Sequence, residues 1–320
     1  MHTYLKSRPA WIQILLFVGM AFGIFMVLSL VAIILLSNLT GISLNEFTRP
    51  GGPDFSHPGM LFFVRGLLVV QFLGLFMIPV LLFAYFSDPR PLTYVGLKMP
   101  RRQMYFLVAV ALMFVSLPLV DGLGVLNRNI RFPAGWESWM KDTEQRNGEQ
   151  IEFMLRDHSI RNLVLNLIFI SLFAGIGEEF FFRGVLQRLI IRFFKSPWLG
   201  IVATGFIFSA IHFQFYGFFP RFVLGIILGA TYWYSGSLWT VILAHFVYDA
   251  FIIIMAHLNP ALASDESANL FKESTLVIPA IISLAITVAL IWWMHRHSDQ
   301  SYSKVYEDDR QSPLDELNFK

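Results

Sequence analysis

Eight stretches of this chain stay apolar for long enough to cross about 30 Å of hydrocarbon. They are residues 12–37, 66–86, 104–124, 162–182, 198–214, 220–235, 238–257 and 274–295. The pattern predicts an all-α, polytopic membrane protein of about eight transmembrane helices. The sixth is the shortest, and Tyr232-Trp233-Tyr234 reads as an interfacial aromatic belt at its end. In the first, the 23 uncharged residues from Ile14 to Leu36 exceed the roughly 7–15 residues of a cleaved signal core, so this helix is expected to be retained. Between the third and fourth spans, Trp136, Trp139, Met140, Ile151, Phe153, Met154 and Leu155 are spaced as an amphipathic helix lying on the surface. From His297 the chain is polar, contains Pro313 and has no apolar periodicity, so a disordered tail is expected. The chain thus divides into 1–125 (three spans), 126–160 (surface connection), 161–257 (four spans), 258–296 (the eighth span) and 297–320 (tail). No internal repeat is visible, which argues against a transporter built from inverted halves.

Composition agrees with this reading. Of the 320 residues 56% are hydrophobic and 14% charged, against a charged share of about 25% in ordinary soluble proteins. A net charge of +2 gives no reason to expect a nucleic-acid partner; the bilayer is the expected surroundings. The position of the basic residues says more. Lys6 and Arg8 precede the first span, Arg90, Lys98, Arg101 and Arg102 follow the second, Arg183, Arg188, Arg192 and Lys195 follow the fourth, and Arg296 follows the eighth. These are alternate faces, so both termini are expected on the cytoplasmic side. With no cysteine, disulfides, thiolate metal sites and cysteine nucleophiles are excluded.

Against this background a few polar residues stand out. Glu178, Glu179 and Arg183 interrupt the fourth span, and a charge in hydrocarbon costs roughly 2.5–3.5 kcal/mol even on insertion scales. Glu179 and Arg183 are four apart, the spacing of a helix-stabilising pair. Glu178 sits about 100° around the helix from Glu179 and has Phe182, not a cation, four residues on. His212 lies in the fifth span, four residues after Phe208, and the seventh carries His245 and Asp249, again four apart and so on one face. Lys195-Ser196-Pro197 is the natural turn between the fourth and fifth spans; Glu178 lies 17 residues before Lys195 and His212 17 after it, so an antiparallel hairpin sets them at one height. His245, only about nine residues from the turn at Ser235–Ser237, falls roughly 12 Å short at 1.5 Å per residue. That difference closes if the hairpin of the fourth and fifth spans projects further. Gly175, Gly177 and Gly184 bracket the glutamates, and Gly225 with Gly229 forms a small-xxx-small face, both suited to close helix approach.

Three motifs now stand in order: E-E-x-x-x-R-G (Glu178, Glu179, Arg183, Gly184), F-x-x-x-H (Phe208, His212) and H-x-x-x-D (His245, Asp249). Together, over about residues 160–252, they resemble the CAAX-protease and bacteriocin-processing family of intramembrane proteases, also called the Abi family. The resemblance implies a membrane endopeptidase with its site between the fourth, fifth and seventh helices, and a prokaryotic inner membrane as its place. The substrate it implies is a membrane-associated peptide or protein, of prenylated CaaX or bacteriocin type. By similarity Glu178 and His212 hold and activate the water, His245 and residue 249 face the oxyanion, and Glu179 and Arg183 orient the site, with Phe208 and Gly184 in support. Where the family often has Asn, this chain has Asp249. An ionised carboxylate cannot donate to an oxyanion, so Asp249 is either protonated, an acceptor for His245, or a ligand. His212, His245, Glu178 and Asp249 are donors that suit Zn²⁺ in an open catalytic site, and a metalloprotease is one expectation. A proton- or ion-coupled transporter, and a non-catalytic immunity or scaffold protein, are the alternatives.

Overall fold

A computed structural model describes residues 4–43, 45–46, 53–259, 271 and 275–306. Among these the secondary structure is helical throughout, with no strand, as expected of a polytopic membrane protein. We number the main helices α1 (Ala10–Thr40), α2 (Met60–Ser87), α3 (Met104–Arg128), α4 (Ala134–Leu155), α5 (Ile160–Phe194), α6 (Pro197–Ala210), α7 (Phe218–Ser235), α8 (Leu238–Leu258) and α9 (Val277–His297).

Six of them, α1, α2, α3, α5, α8 and α9, are long and apolar enough to span a bilayer. The eight expected spans therefore need qualifying at the fifth and sixth. Helix α6 has 14 residues, about 21 Å of rise, because the chain leaves the helix at Ile211 and Phe213 adopts a left-handed conformation (φ 53°). Helix α7 is diluted by Pro220, Arg221 and its aromatic end, and its second half, from Ile227 to Ser235, is buried within the protein. The two form a close pair, with Trp198, Leu199 and Phe206 of α6 left exposed. Their contact depends on absent side chains: a Cβ on Gly225 would lie 3.0 Å from the Gly205 Cα.

The turn between α5 and α6 forms as the residues dictate. Lys195 ends α5 in the left-handed region (φ 54°), the Ser196 hydroxyl accepts from the Leu199 amide, and Pro197 opens α6, where its missing N–H costs nothing. The amphipathic connection is the 22-residue α4, with Met140, Met154 and Leu155 turned inward and Trp136 exposed. One expectation fails at the tail. Residues 298–306 are folded: Tyr302–Val305 makes a helical turn, and the Tyr306 hydroxyl donates to the Arg188 carbonyl at 2.7 Å. The rest of that tail, 307–320, lies outside the described residues.

Helices α5 and α7 run parallel in a fixed register. Arg183 donates to the Gly225 carbonyl and Gln187 to the Gly229 carbonyl, each 42 residues on. Helix α8 starts lower. Its first amide, Leu238, donates to Gly96, in the turn against which Gly184 packs, so α5 continues ten residues past the level where α8 begins. His245, seven residues into α8, is thereby brought to the height of Glu178, six residues before Gly184. The 12 Å shortfall closes by this offset.

Candidate active site

The seat of Glu178 and Glu179 is a helix that changes gauge. The segment Phe180–Leu186 of α5 forms π-helical turns, an arrangement frequent at functional sites. Gly175 removes the obstacle to α8, since a Cβ there would stand 3.0 Å from the Phe246 backbone nitrogen. Close approach at that point puts His245 against both acids.

The two glutamates have different surroundings. Glu179 and Arg183 are fully buried, at 0% exposure, and paired at 2.8 Å between Arg183 Nη1 and Glu179 Oε1. The same Oε1 accepts from His245 Nδ1 at 2.8 Å. Arg183 lies 4.8 Å from the centre of the Phe208 ring, a cation–π contact. Glu178, by contrast, lines a cavity of about 600 Å³ and forms no hydrogen bond with any described residue. Its nearest charged contact is His245 Nε2, 4.0 Å from Oε2.

His212 sits just past the end of α6 instead of within a helix as expected. Its Nδ1 donates to the Phe208 carbonyl at 2.7 Å, an i to i−4 bond that satisfies one of the open carbonyls of the helix end. That bond leaves Nε2 as the acceptor nitrogen. Phe208 stacks edge-on against His212 (5.1 Å) and Phe182 (5.1 Å) and lies 6.3 Å from the His245 ring. One aromatic side chain thus spaces both histidines and the buried arginine. On α8, Asp249 Oδ2 is 3.3 Å from His245 Nε2. Both nitrogens of His245 thus face carboxylate oxygens, Nδ1 in a hydrogen bond and Nε2 at ion-pair distance.

Glu178, Phe208, His212, His245 and Asp249 all border the one cavity. Glu179, Arg183 and Gly184 do not; the first two stand behind His245, and Gly184 packs on Val95. Among the described residues no group of three His, Cys, Asp or Glu is arranged to hold a metal ion. The cavity opens towards α4 and the 211–217 turn. Four of its polar residues escape the sequence reading: Glu144 on α4, Gln214, Arg221 and Tyr248. Arg221 donates to Gln214 Oε1 at 2.5 Å. Its signal was an ionisable residue at the head of an apolar run, the same kind of signal as Glu178. Glu144, in a soluble-looking helix, carried none.

Comparison with known proteins agrees with the motifs. Residues 160–251 match the family described as Rce1-like, type II CAAX prenyl endopeptidase. Over this stretch the chain resembles that family. It is also similar to YpbD of Bacillus subtilis, 33% identical over 89 residues, covering 27% of this chain and 42% of that protein. A 24.3 kDa protein of Escherichia coli is 30% identical over 96 residues, 29% of this chain and 44% of that one. The chain therefore spans less than half the length of the curated relatives it matches. No solved structure matches it significantly.

Proposed function

We propose that this chain is an intramembrane endopeptidase that hydrolyses a peptide bond of a membrane-associated substrate with a water held by Glu178 and His212. The observation that carries this reading is the contrast between the two acids. Glu179 is fully buried, with its Oε1 committed to both Arg183 and His245, while the Glu178 carboxylate borders the cavity with no hydrogen bond to any described residue. A base must be free to accept the proton of a water in reach of the scissile carbonyl, and of the two only Glu178 is.

In this account Glu178 takes a proton from water as the oxygen attacks the carbonyl carbon, and His212 Nε2 accepts the second O–H and fixes the water's direction. The proton shared by His245 Nε2 and Asp249 is the donor to the oxyanion. Glu179, through Nδ1, sets the tautomer and plane of His245. The C–N bond then breaks as Glu178 returns its proton to the leaving amine. Ile170, Leu224, Ile252 and Ile253 line the remainder of the cavity and suit an apolar peptide or prenylated CaaX-like segment.

Among the described residues Glu178, His212, His245 and Asp249 are not arranged as a group of metal ligands, and the chemistry proposed here uses these side chains alone. The test uses purified protein in lipid nanodiscs and a panel of membrane peptides, with and without a farnesylated C-terminal CaaX sequence. Wild type should cleave one class, and Glu178→Gln and His212→Ala should each leave it intact while remaining folded. Cleavage at wild-type rate by either variant contradicts the assignment.

A further inference from the structure

The face away from the candidate active site, where α1 and α3 begin and α2, α5, α7 and α9 end, holds a second cavity of about 510 Å³. Seven Lys and Arg side chains line it against two carboxylates, Asp88 and Asp299. Both acids are engaged: Asp88 Oδ1 accepts from the Arg90 amide at 2.8 Å, and Asp299 pairs with Arg101. Three of the cations line one part of this cavity. Arg188 enters from the last turns of α5 with its guanidinium 4.9 Å from the centre of the Tyr94 ring. Its Nε is shielded from solvent and has no hydrogen-bond partner. Among the described residues the side chains acting on it are the tyrosines 94, 232 and 306, with no carboxylate. Lys98 and Lys304 line the same cavity as Arg188. Burial first, and then the charges of Arg188 and Lys304, hold the pKa of Lys98 below the ordinary lysine value.

Cations at the end of a membrane helix ordinarily extend into water with their charges apart. Here a half-buried guanidinium with a shielded, unpaired N–H and two ammonium groups line the same space, alongside tyrosine hydroxyls. Such a set lacks negative charge and offers the donors that a phosphate oxygen cluster takes up, Arg through its planar fork and Lys as point charges. Basic pockets between membrane helices at the interface are suited to anionic headgroups.

We propose that this cavity is a phosphate-binding site, separate from the candidate active site, in which Lys98, Arg188 and Lys304 hold the phosphate of an anionic lipid headgroup or of a soluble phosphate compound. The proposal does not depend on the peptidase reading.

The experiment measures the thermal stability of the full chain in detergent and in nanodiscs. Three conditions are compared: neutral phosphatidylcholine nanodiscs, the same with 30% phosphatidylglycerol, and detergent with inorganic phosphate at constant ionic strength set by chloride. Arg188 is part of the packed helix end, so the test variant is Lys98→Gln/Lys304→Gln. The control is Lys141→Gln/Arg146→Gln, which removes the same charge from exposed positions of α4. Stabilisation by phosphatidylglycerol, weakened more than about tenfold in apparent affinity by the test variant alone, supports a headgroup as the source. Stabilisation by inorganic phosphate with the same dependence supports a soluble phosphate. Equal responses of test and control variants, or none in wild type, overturn the proposal. So does a response that emerges only after Glu307→Gln/Asp308→Asn/Asp309→Asn, since the chain's own acidic stretch would then be the occupant.

Discussion

Removing Arg183 while leaving Glu179 in place should be among the most damaging single changes available in this protein. Both side chains are at 0% exposure and 2.8 Å apart, so Arg183→Met leaves a buried carboxylate whose one remaining partner among the described residues is His245. It also removes the bond from Nη2 to the Gly225 carbonyl, 3.1 Å long, which ties α5 to α7. Breaking a buried pair from one side costs about 3–5 kcal/mol, whereas replacing both members together is often close to neutral. The expected pattern is therefore a cycle. Arg183→Met should lose about 3–5 kcal/mol, and Glu179→Gln/Arg183→Met should recover most of it. Unfolding by SDS titration in mixed micelles gives the free energies, and peptide cleavage is followed in parallel. The recovered double variant should still cleave slowly, because a neutral amide no longer holds His245 as a carboxylate does. A loss below about 1 kcal/mol in Arg183→Met, the value of an exposed pair, would refute the reasoning.

Further outcomes follow from the same geometry. Asp249→Asn should keep activity within about tenfold of wild type and be indifferent to chelators; a larger loss, with wild type inhibited by chelators and restored by Zn²⁺, would favour a ligand role instead. Gly175→Val should place a methyl-bearing carbon near 3.0 Å from the Phe246 nitrogen, costing about 1–3 kcal/mol and lowering cleavage as α8 is pushed from Glu178. Gly19→Val, where a Cβ meets nothing within 4 Å, should do neither, and equal effects would contradict the close-approach argument. Burial raises the pKa of Glu144, on surface helix α4, above the ordinary carboxylate value. Between that value and the raised one the folded chain keeps a proton that the unfolded chain has released, so this group makes stability fall as pH rises through the window. Unfolding measured across that range should show a shallower fall in Glu144→Gln, and an unchanged slope would count against a buried Glu144.

Much of this arrangement was legible because membrane helices leave few ambiguities. An apolar run long enough to span is visible in composition alone, and a carboxylate inside one demands a reason. Glu178, Glu179, His212, His245 and Asp249 were found in that way, and the separation of Glu179 from Glu178 followed from a single i to i+4 cation. The end of α6 was not legible: no glycine or proline marks Phe213, whose left-handed backbone stops the helix and leaves His212 at its edge. The lower start of α8 was hidden too, since it depends on a bond from Leu238 to Gly96, far away in sequence. Residues 298–306 read as tail because they are polar. Their order comes from partners elsewhere in the chain, Arg101 in the connection before α3 for Asp299 and the Arg188 carbonyl of α5 for Tyr306.

The central claim is that Glu178 activates water for peptide hydrolysis in the membrane. It is tested most directly by comparing new peptide termini in membranes from cells carrying wild type and cells carrying Glu178→Gln at matched protein levels. The account predicts termini from membrane-associated proteins or peptides that are present with wild type and missing with Glu178→Gln. Identical sets of termini in the two membranes would contradict it.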